Sequence, residues 1–175
     1  MTSATQEFSV GPGTRAPQAS FTDSAGRTLK LKDLLASSGS LPILLAFFKV
    51  TCPTCQLTWP YLERLHRLYG GKGVRVYGVC QNDAGAAKHF YGEFGGATFD
   101  VLVDRAPAYV ASNAFGVVAV PHLALVSRDG TVRTVFAGWS RKEIEDLGRS
   151  VAAAGGLPVR PVVPPDDPVR DFQAG

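Results

Sequence analysis

Two cysteines three residues apart, Cys52 and Cys55, are the residues of this sequence best suited to chemistry. They follow a continuous apolar run, residues 43–48, typical of a strand buried on both faces, and they precede a helical period of apolar residues. At the start of a helix, free backbone N–H groups and the helix dipole lower the pKa of a thiol. We therefore expect Cys52 to be the exposed attacking thiolate and Cys55, one turn later and partly covered, to be the resolving thiol.

A metal site is the first alternative for this cysteine pair. Zinc needs four ligands, usually a second Cys-x-x-Cys or a closely spaced histidine pair. The other candidate ligands are dispersed through the sequence: Cys80, His66, His89 and His122. The strand–loop–helix context favours a redox pair over zinc or a purely structural disulfide. We expect no metal and no bound cofactor, because the reactive group would be the redox-active disulfide Cys52–Cys55 itself.

Strand-like and helix-like patterns alternate along the chain. The helix after the cysteine pair ends at Gly70-Gly71. Further strands are predicted over residues 74–80, 101–103, 122–127 and 132–137, and further helices over 84–94, 106–115 and 141–154. This order, β-α-β-α-β-α followed by a hairpin and a helix, predicts a mixed central sheet with helices on both faces.

The chain divides into three parts by composition. Its 175 residues suit one compact domain, which we assign to residues 16–154. Residues 1–15 are predicted to form an irregular N-terminal arm. Residues 155–175 are a proline-rich C-terminal tail with five prolines, and we expect it to be extended or disordered.

Charge and hydropathy exclude several partners. The 18 Lys and Arg against 15 Asp and Glu give a net charge of +3 that is scattered, so we expect no nucleic-acid partner. The longest apolar stretch, residues 41–48, is far shorter than the roughly 20 residues of a membrane helix. The first residues lack the basic and apolar regions of a secretory signal. We therefore expect a cytoplasmic protein with no membrane partner.

Several motifs resemble the thioredoxin fold, and more specifically its TlpA/redoxin branch, which is related to the AhpC/TSA proteins. The matching segments are Phe47 to Cys55, Pro60, Val120-Pro121 before a strand, Ala16 to Phe21 with Gly26 and Leu34, and Val76 to Asp83. The similarity covers residues 16–154 and is more specific for the fold than for the substrate. It implies an α/β thioredoxin-like fold with an N-terminal β extension.

The resemblance also implies an activity and a substrate site. It implies a thiol–disulfide oxidoreductase that reduces or exchanges disulfides through a mixed disulfide with Cys52. Its partners would be protein or small-molecule disulfides and a recycling reductase, and in a reducing cytosol the reaction would run as reduction. Pro121 would be cis and would pack beside Cys52, and the backbone of Val120 would pair with an incoming extended peptide.

This sequence departs from thioredoxins near the cysteines. Thioredoxins carry a tryptophan just before the first cysteine and a buried aspartate six residues earlier, where this chain has Thr51 and Ala46. A buried carboxylate that helps to deprotonate Cys55 is therefore missing from this strand. Pro53 and Thr54, between the cysteines, would tune the redox potential.

Three further side chains have two interpretations each. Lys49 adds positive charge near Cys52, or it is an ordinary solvated loop residue. His122 touches the site and makes it pH-sensitive near neutrality, or it is a partly exposed strand histidine. Cys80 ends the neighbouring strand and is a third redox thiol, or, as we prefer, a small buried apolar residue.

Two other functions remain open from the sequence. The first is a peroxiredoxin-like thiol peroxidase acting on peroxides. Peroxiredoxins carry a Pro-x-x-x-Thr/Ser-x-x-Cys loop, but counting back from Cys52 these places hold Leu45 and Lys49, and counting back from Cys55 they do not match either. The second is a non-enzymatic peptide-binding module that uses the groove near Pro121.

Overall fold

A seven-stranded mixed sheet forms the centre of the computed structural model, which describes residues 8–175. The predicted arm over residues 1–15 therefore lies partly outside the described residues. The elements are β1 (Ser20–Thr22), β2 (Thr28–Lys30), α1 (Leu31–Ser37), β3 (Ile43–Phe48), α2 (Pro53–Tyr69), β4 (Arg75–Cys80), α3 (Ala84–Glu93), β5 (Asp100–Val103), α4 (Val110–Phe115), β6 (His122–Val126), β7 (Val132–Ala137), β8 (Trp139–Ser140), α5 (Arg141–Gly155) and β9 (Phe172–Gln173). The sheet order is β2-β1-β5-β4-β3-β6-β7, and β8 pairs separately with β9.

Strand β3 lies near the middle of the sheet, parallel to β4 and antiparallel to β6. All six of its residues are buried, as the apolar run predicts. Because side chains alternate along a strand, they belong to two apolar layers: Leu44, Ala46 and Phe48 in one, and Ile43, Leu45 and Phe47 in the other. Helices α2, α3 and α5 contribute to the first layer, and α1 and α4 to the second.

The predicted architecture is confirmed. Helices cover both faces of a mixed sheet, and the hairpin β1–β2 extends it on the N-terminal side by pairing β1 antiparallel to β5. At the opposite edge, β7 pairs antiparallel to β6. The chain reaches the cysteine pair shortly after the carboxyl end of β3, so the pair lies at the end of a central strand.

The first residues of helix α2 meet the hydrogen-bonding needs of the helix start. Pro53 takes the first helical position, where its missing N–H costs no hydrogen bond. Cys52 is the cap, and its sulfur accepts the N–H of Cys55 at 3.2 Å. The helix then runs through Pro60 and ends at Tyr69, with Gly70 as its C-cap. The two cysteines are thus held in the first turn of a 17-residue helix.

The helix predicted over residues 106–115 is wrong in its first four residues, since α4 begins only at Val110. One reason is Pro107, which disfavours helical geometry in the residue before it. The other is Asp104, whose carboxylate accepts the N–H groups of Ala111 at 3.0 Å and Ser112 at 2.7 Å. Those bonds fix the start of the helix at a later point than the apolar pattern indicates.

The proline-rich tail is extended and packs against the domain. Val162 and Val163 are buried in the same apolar layer as α2 and α5. The indole Nε1 of Trp139 donates to the carbonyl oxygen of Arg170 at 2.6 Å. The last strand, β9, then pairs antiparallel with β8. The tail is therefore a built part of the molecule, extended as one of the two sequence expectations had it.

Candidate functional site

The loop between β3 and α2 is held by side chains from two neighbouring elements. The N–H of Val50 donates to Oδ1 of Asn82 at 3.0 Å, and Nε2 of Gln56 donates to the carbonyl oxygen of Val50 at 3.1 Å. The N–H of Cys52 donates to the carbonyl oxygen of Lys49 at 3.2 Å. The loop is therefore fixed on both sides before the helix begins, and Cys52 has a defined position.

Cys52 and Cys55 differ sharply in their surroundings. Cys52 is partly exposed, and in its protonated form the thiol donates to the carbonyl oxygen of Val120 at 3.3 Å. Cys55 is 0% exposed and packs in the core beneath the helix start. Both are free thiols in this structure, as is Cys80.

The two pKa values are displaced in opposite directions. The neighbouring Cys55 thiol is the main cause that lowers the pKa of Cys52 to about 6. Burial opposes this shift, while the backbone N–H groups of Cys55 and Thr54 and the charge of Lys49 add to it. Burial, followed by the adjacent Cys52, raises the pKa of Cys55 far above its usual range. Near neutral pH the pair therefore holds one ionised sulfur and one protonated thiol.

This arrangement has a specific chemical capacity. An exposed thiolate is the form that attacks a disulfide, and a thiol one turn away is placed to displace it again. The thiolate arises at the start of a long helix, as the sequence predicts. The geometry therefore supports reversible disulfide exchange.

The Val120–Pro121 segment lies against this pair. Its peptide bond is cis, as the resemblance implied, and Pro121 is buried. The hydrogen bond from Cys52 to Val120 joins the segment to the cysteine loop. The structure thus brings together the four residues predicted for catalysis and substrate binding: Cys52, Cys55, Val120 and Pro121.

The residues expected to tune the site differ in their exposure to solvent. Pro53 and Thr51 are exposed, and Thr54 is buried. Lys49 is exposed, with Nζ 5.8 Å from the ring centroid of Tyr109. Its charge makes the smallest of the contributions that lower the pKa of Cys52. Both interpretations of Lys49 therefore apply, since it is a solvated residue whose charge still reaches the site.

Both interpretations of His122 from the sequence are wrong. Its ring is 0% exposed, with Phe8 and Phe47 at centroid distances of 5.4 and 5.8 Å. Neither ring nitrogen has a hydrogen-bond partner among residues 8–175, and burial lowers the pKa of His122 to about 4. It is therefore a neutral core histidine, neither a partly exposed one nor one that titrates near neutrality. Sequence reasoning fails because the register with Phe47 turns it into the layer of α1 and α4.

Cys80 is a buried residue at the end of β4. It is 0% exposed, and its sulfur accepts the N–H of Asn82 at 3.4 Å. Burial raises the pKa of its thiol to about 11, so it is protonated near neutral pH. A low pKa and exposure are what a reactive thiol needs, and Cys80 has neither. The preferred interpretation, a small buried apolar residue, agrees with this environment.

The tail also contacts the first turn of α2, which the sequence did not indicate. The hydroxyl of Thr54 donates to the carbonyl oxygen of Ala174 at 2.6 Å and accepts from Nε2 of Gln173 at 2.7 Å. These partners lie 120 and 119 residues away along the chain. No local pattern signals such a pairing, because a two-residue strand in a proline-rich segment has no recognisable periodicity.

Two kinds of feature are absent from the described part of the chain. Within residues 8–175, no group of three or more His, Cys, Asp or Glu side chains is arranged to hold a metal ion. No helix in that range combines the length and the apolar character needed to cross a bilayer.

Known proteins share both this sequence pattern and this fold. The ResA thiol-disulfide oxidoreductase of Geobacillus thermodenitrificans is 27% identical to this chain over 139 residues, which cover 79% of this chain and 76% of that protein. The ResA protein of Bacillus anthracis is 29% identical over 132 residues, which cover 75% of this chain and 72% of that protein. A crystal structure of a thiol:disulfide interchange protein DsbE, assigned as putative, from Chlorobium tepidum superposes with a TM-score of 0.69 at 25% identity, covering 83% of this chain and 99% of that one. The thioredoxin-like fold is thereby confirmed. The Redoxin family model matches residues 11–151, and the chain belongs to the Redoxin family.

Proposed function

We propose that this chain is a thiol–disulfide oxidoreductase whose reactive pair is Cys52 and Cys55. The observation that carries the proposal is the contrast between the two sulfur atoms. One is partly exposed with a pKa near 6 at the start of α2, and the other is buried and protonated one turn later. The ResA relatives, which are named for this activity, support the same reaction.

The reaction follows from these two thiols. The Cys52 thiolate attacks one sulfur of the substrate disulfide, forms a new S–S bond and releases the other substrate sulfur as a thiolate. Cys55 then loses its proton and attacks the Cys52 sulfur, which releases the second substrate thiolate. The substrate gains two electrons and the pair closes into the Cys52–Cys55 disulfide. Reduction of that disulfide by a recycling reductase returns the enzyme to its starting state.

The substrate class is disulfides in proteins, and small-molecule disulfides are a second group that the open face of Cys52 admits. The backbone of Val120, adjacent to Pro121, would pair with an extended substrate chain as the edge of a sheet does. The cytoplasmic location expected from the sequence belongs to the same proposal. In that reducing compartment the pair acts as a reductant.

The two alternative functions are less well supported. A peroxidase of the peroxiredoxin type needs a proline and a hydroxyl residue at fixed distances before its cysteine, and Leu45 and Lys49 occupy those places. Leu45 is also completely buried in β3. A module that only holds peptides has no use for a thiol of low pKa with a second thiol beside it.

Disulfide reduction and peroxide consumption, measured side by side, test the assignment. With dithiothreitol as electron donor, the protein is expected to reduce insulin disulfides and to consume hydrogen peroxide no faster than a protein-free control. Cys52→Ser should abolish insulin reduction, whereas Cys80→Ala, which removes a buried thiol outside the pair, should retain it. Peroxide turnover without insulin reduction would overturn the proposal.

Cys55→Ser provides a second test, which isolates the resolving step. With the resolving thiol absent, the mixed disulfide through Cys52 has no internal route to break, so disulfide-linked partners should accumulate. Non-reducing electrophoresis with mass spectrometry detects them, and the double variant Cys52→Ser with Cys55→Ser is the matched control. Equal amounts of adduct in the two variants would mean that Cys52 is not the attacking sulfur.

A further inference from the structure

Residues 172–175 of the proline-rich tail lie against the start of α2, and we name these four residues the strap. Their polar groups converge on Thr54, which sits between the two cysteines. Thr54 donates to the carbonyl oxygen of Ala174 and accepts from the side chain of Gln173, at 2.6 and 2.7 Å. Thr54 is consequently only 4% exposed, although it lies in the first turn of α2 between the two cysteines.

The strap also approaches two other backbone segments of the site. A β-carbon on Gly175 would lie 2.6 Å from the carbonyl oxygen of Val120. A β-carbon on Gly138 would lie 2.7 Å from the carbonyl oxygen of Gln173 and 3.0 Å from the nitrogen of Gly175. Gly138 also has a φ of +80°. The close backbone packing here therefore requires glycine on both sides.

These contacts define a groove that the strap fills. Its walls are Thr54 at the start of α2, Val120 before β6 and Gly138 after β7. The last two walls are tied together, because the N–H of Gly138 donates to the carbonyl oxygen of Pro121 at 2.8 Å. An extended polypeptide that pairs with the backbone at Val120 needs the space in which Gly175 lies.

A second cleft lies beside the cysteine loop, and no residue of the strap lines it. A cleft of about 190 Å³ is lined by Lys49, Tyr109, Val118 and Val120, among others. Sites for drug-sized ligands begin at about 300 Å³, so this cleft suits a small disulfide and not a polypeptide. Its shared wall, Val120, is the residue whose carbonyl oxygen accepts the Cys52 thiol.

The strap lacks the buried apolar anchors of the segment that leads to it, where Val162 and Val163 are 0% and 3% exposed. Upstream, Trp139 binds the carbonyl oxygen of Arg170, and the guanidinium of Arg141 binds the backbone of Asp167 and Val169. The strap itself has the two bonds to Thr54 and the two-residue pairing of β9 with β8. Its Phe172 is 66% exposed. The strap can therefore leave the groove while the rest of the tail stays in place.

We propose that the strap occupies the polypeptide groove of its own redox site and must leave it before an extended polypeptide disulfide can pair with Val120. Small disulfides reach Cys52 without displacing it. The strap thus sets the preference of the enzyme between these two substrate classes. This inference rests on the proposed function and adds a device that selects its substrate.

The test compares two disulfides on the reduced 175-residue protein: insulin, and bis(2-hydroxyethyl) disulfide as the small one. Gln173→Pro removes the amide that donates to Thr54 and a backbone N–H of β9, and should release the strap. While the strap occupies the groove, only the fraction of molecules with a free groove can bind insulin, and the apparent affinity is reduced by that fraction. Release of the strap should therefore raise the insulin rate constant about fivefold or more. The rate constant for the small disulfide should change by less than about twofold, since its route is already open.

Two further variants make the result decisive. Arg141→Ala loosens the segment before the strap and should shift the insulin rate in the same direction. Lys142→Ala, the matched control on the same helix, removes an ion pair to Asp146 that does not touch the tail, and should change neither rate. If neither Gln173→Pro nor Arg141→Ala raises the insulin rate, or if the rates with both disulfides rise equally, the strap does not select substrates. The exchange activity itself would still stand. If the wild type reacts with neither disulfide, the proposed function fails and the strap inference with it.

Discussion

Cys52 and Cys55 are three residues apart, yet the pKa values of their thiols are displaced in opposite directions. The pKa of Cys52 is lowered to about 6 mainly by the Cys55 thiol, whereas burial raises that of Cys55. The rate of Cys52 alkylation by iodoacetamide should therefore rise with pH, reach half its maximum near pH 6, and level off above about pH 7. Mass spectrometry of the reduced protein after timed quenching measures this profile.

The causes of the Cys52 shift can be separated by substitution. Cys55→Ala removes the largest cause, so the half-maximum should move upward toward the ordinary thiol pKa of about 8.5. Lys49→Ala removes the smallest cause and should move it much less. A wild-type half-maximum above about pH 8 would show that the helix start does not activate this thiol.

At the scale of single elements, Asp104 positions α4, which borders the cleft beside Cys52. Its buried carboxylate satisfies two N–H groups in the first turn of that helix, those of Ala111 and Ser112. Asp104→Ala leaves both without a partner and should lower the free energy of unfolding by about 3 kcal/mol, as judged from the cost of orphaned buried donors. Urea unfolding followed by circular dichroism measures the loss.

The strand just before Asp104 offers a control. Asp100 lies at the exposed start of β5, and Asp100→Ala should change the free energy of unfolding by less than about 0.5 kcal/mol. Similar losses in the two variants would mean that the bonds to α4 contribute nothing beyond a generic surface effect.

The elements that the sequence predicts well are those with a strong local signal. The apolar run of β3 predicts a doubly buried strand, and the cysteine pair with Pro53 marks the first turn of α2. The start of α4 could not be predicted in this way, because it depends on the carboxylate of Asp104, which accepts N–H groups 7 and 8 residues later. The apolar pattern predicts the helix, whereas a side-chain contact outside that pattern decides where it begins.

The candidate site shows the same division. The reactive pair and the Val120–Pro121 segment follow from short motifs. The environment of His122 depends on the strand register, and the strap over Thr54 depends on a contact between residues about 120 positions apart. Neither is encoded in a pattern that one segment carries by itself.

At the scale of the whole molecule, His122 should make the fold sensitive to acid. Burial lowers its pKa to about 4, so between about pH 6.5 and pH 4 the unfolded chain binds a proton that the folded protein does not. Stability should therefore fall as the pH drops through this range, by up to about 3 kcal/mol from this residue. Urea unfolding at a series of pH values measures the fall.

Replacement of the ring isolates this contribution. His122→Phe keeps an aromatic ring between Phe8 and Phe47 but cannot bind a proton, so its stability should depend less on pH over this interval. His89→Gln removes a histidine that is 83% exposed and should leave the wild-type dependence unchanged. The same pH dependence in His122→Phe and the wild type would exclude His122 as the cause.

The position of Gly175 has a practical consequence for recombinant work. An affinity handle fused behind this residue would start next to the carbonyl oxygen of Val120, at the groove that we propose for polypeptide substrates. A foreign polypeptide that begins there would compete with protein substrates for this groove. The measured turnover would then depend on the fusion used. Activity measurements therefore require protein from which any such fusion has been cleaved.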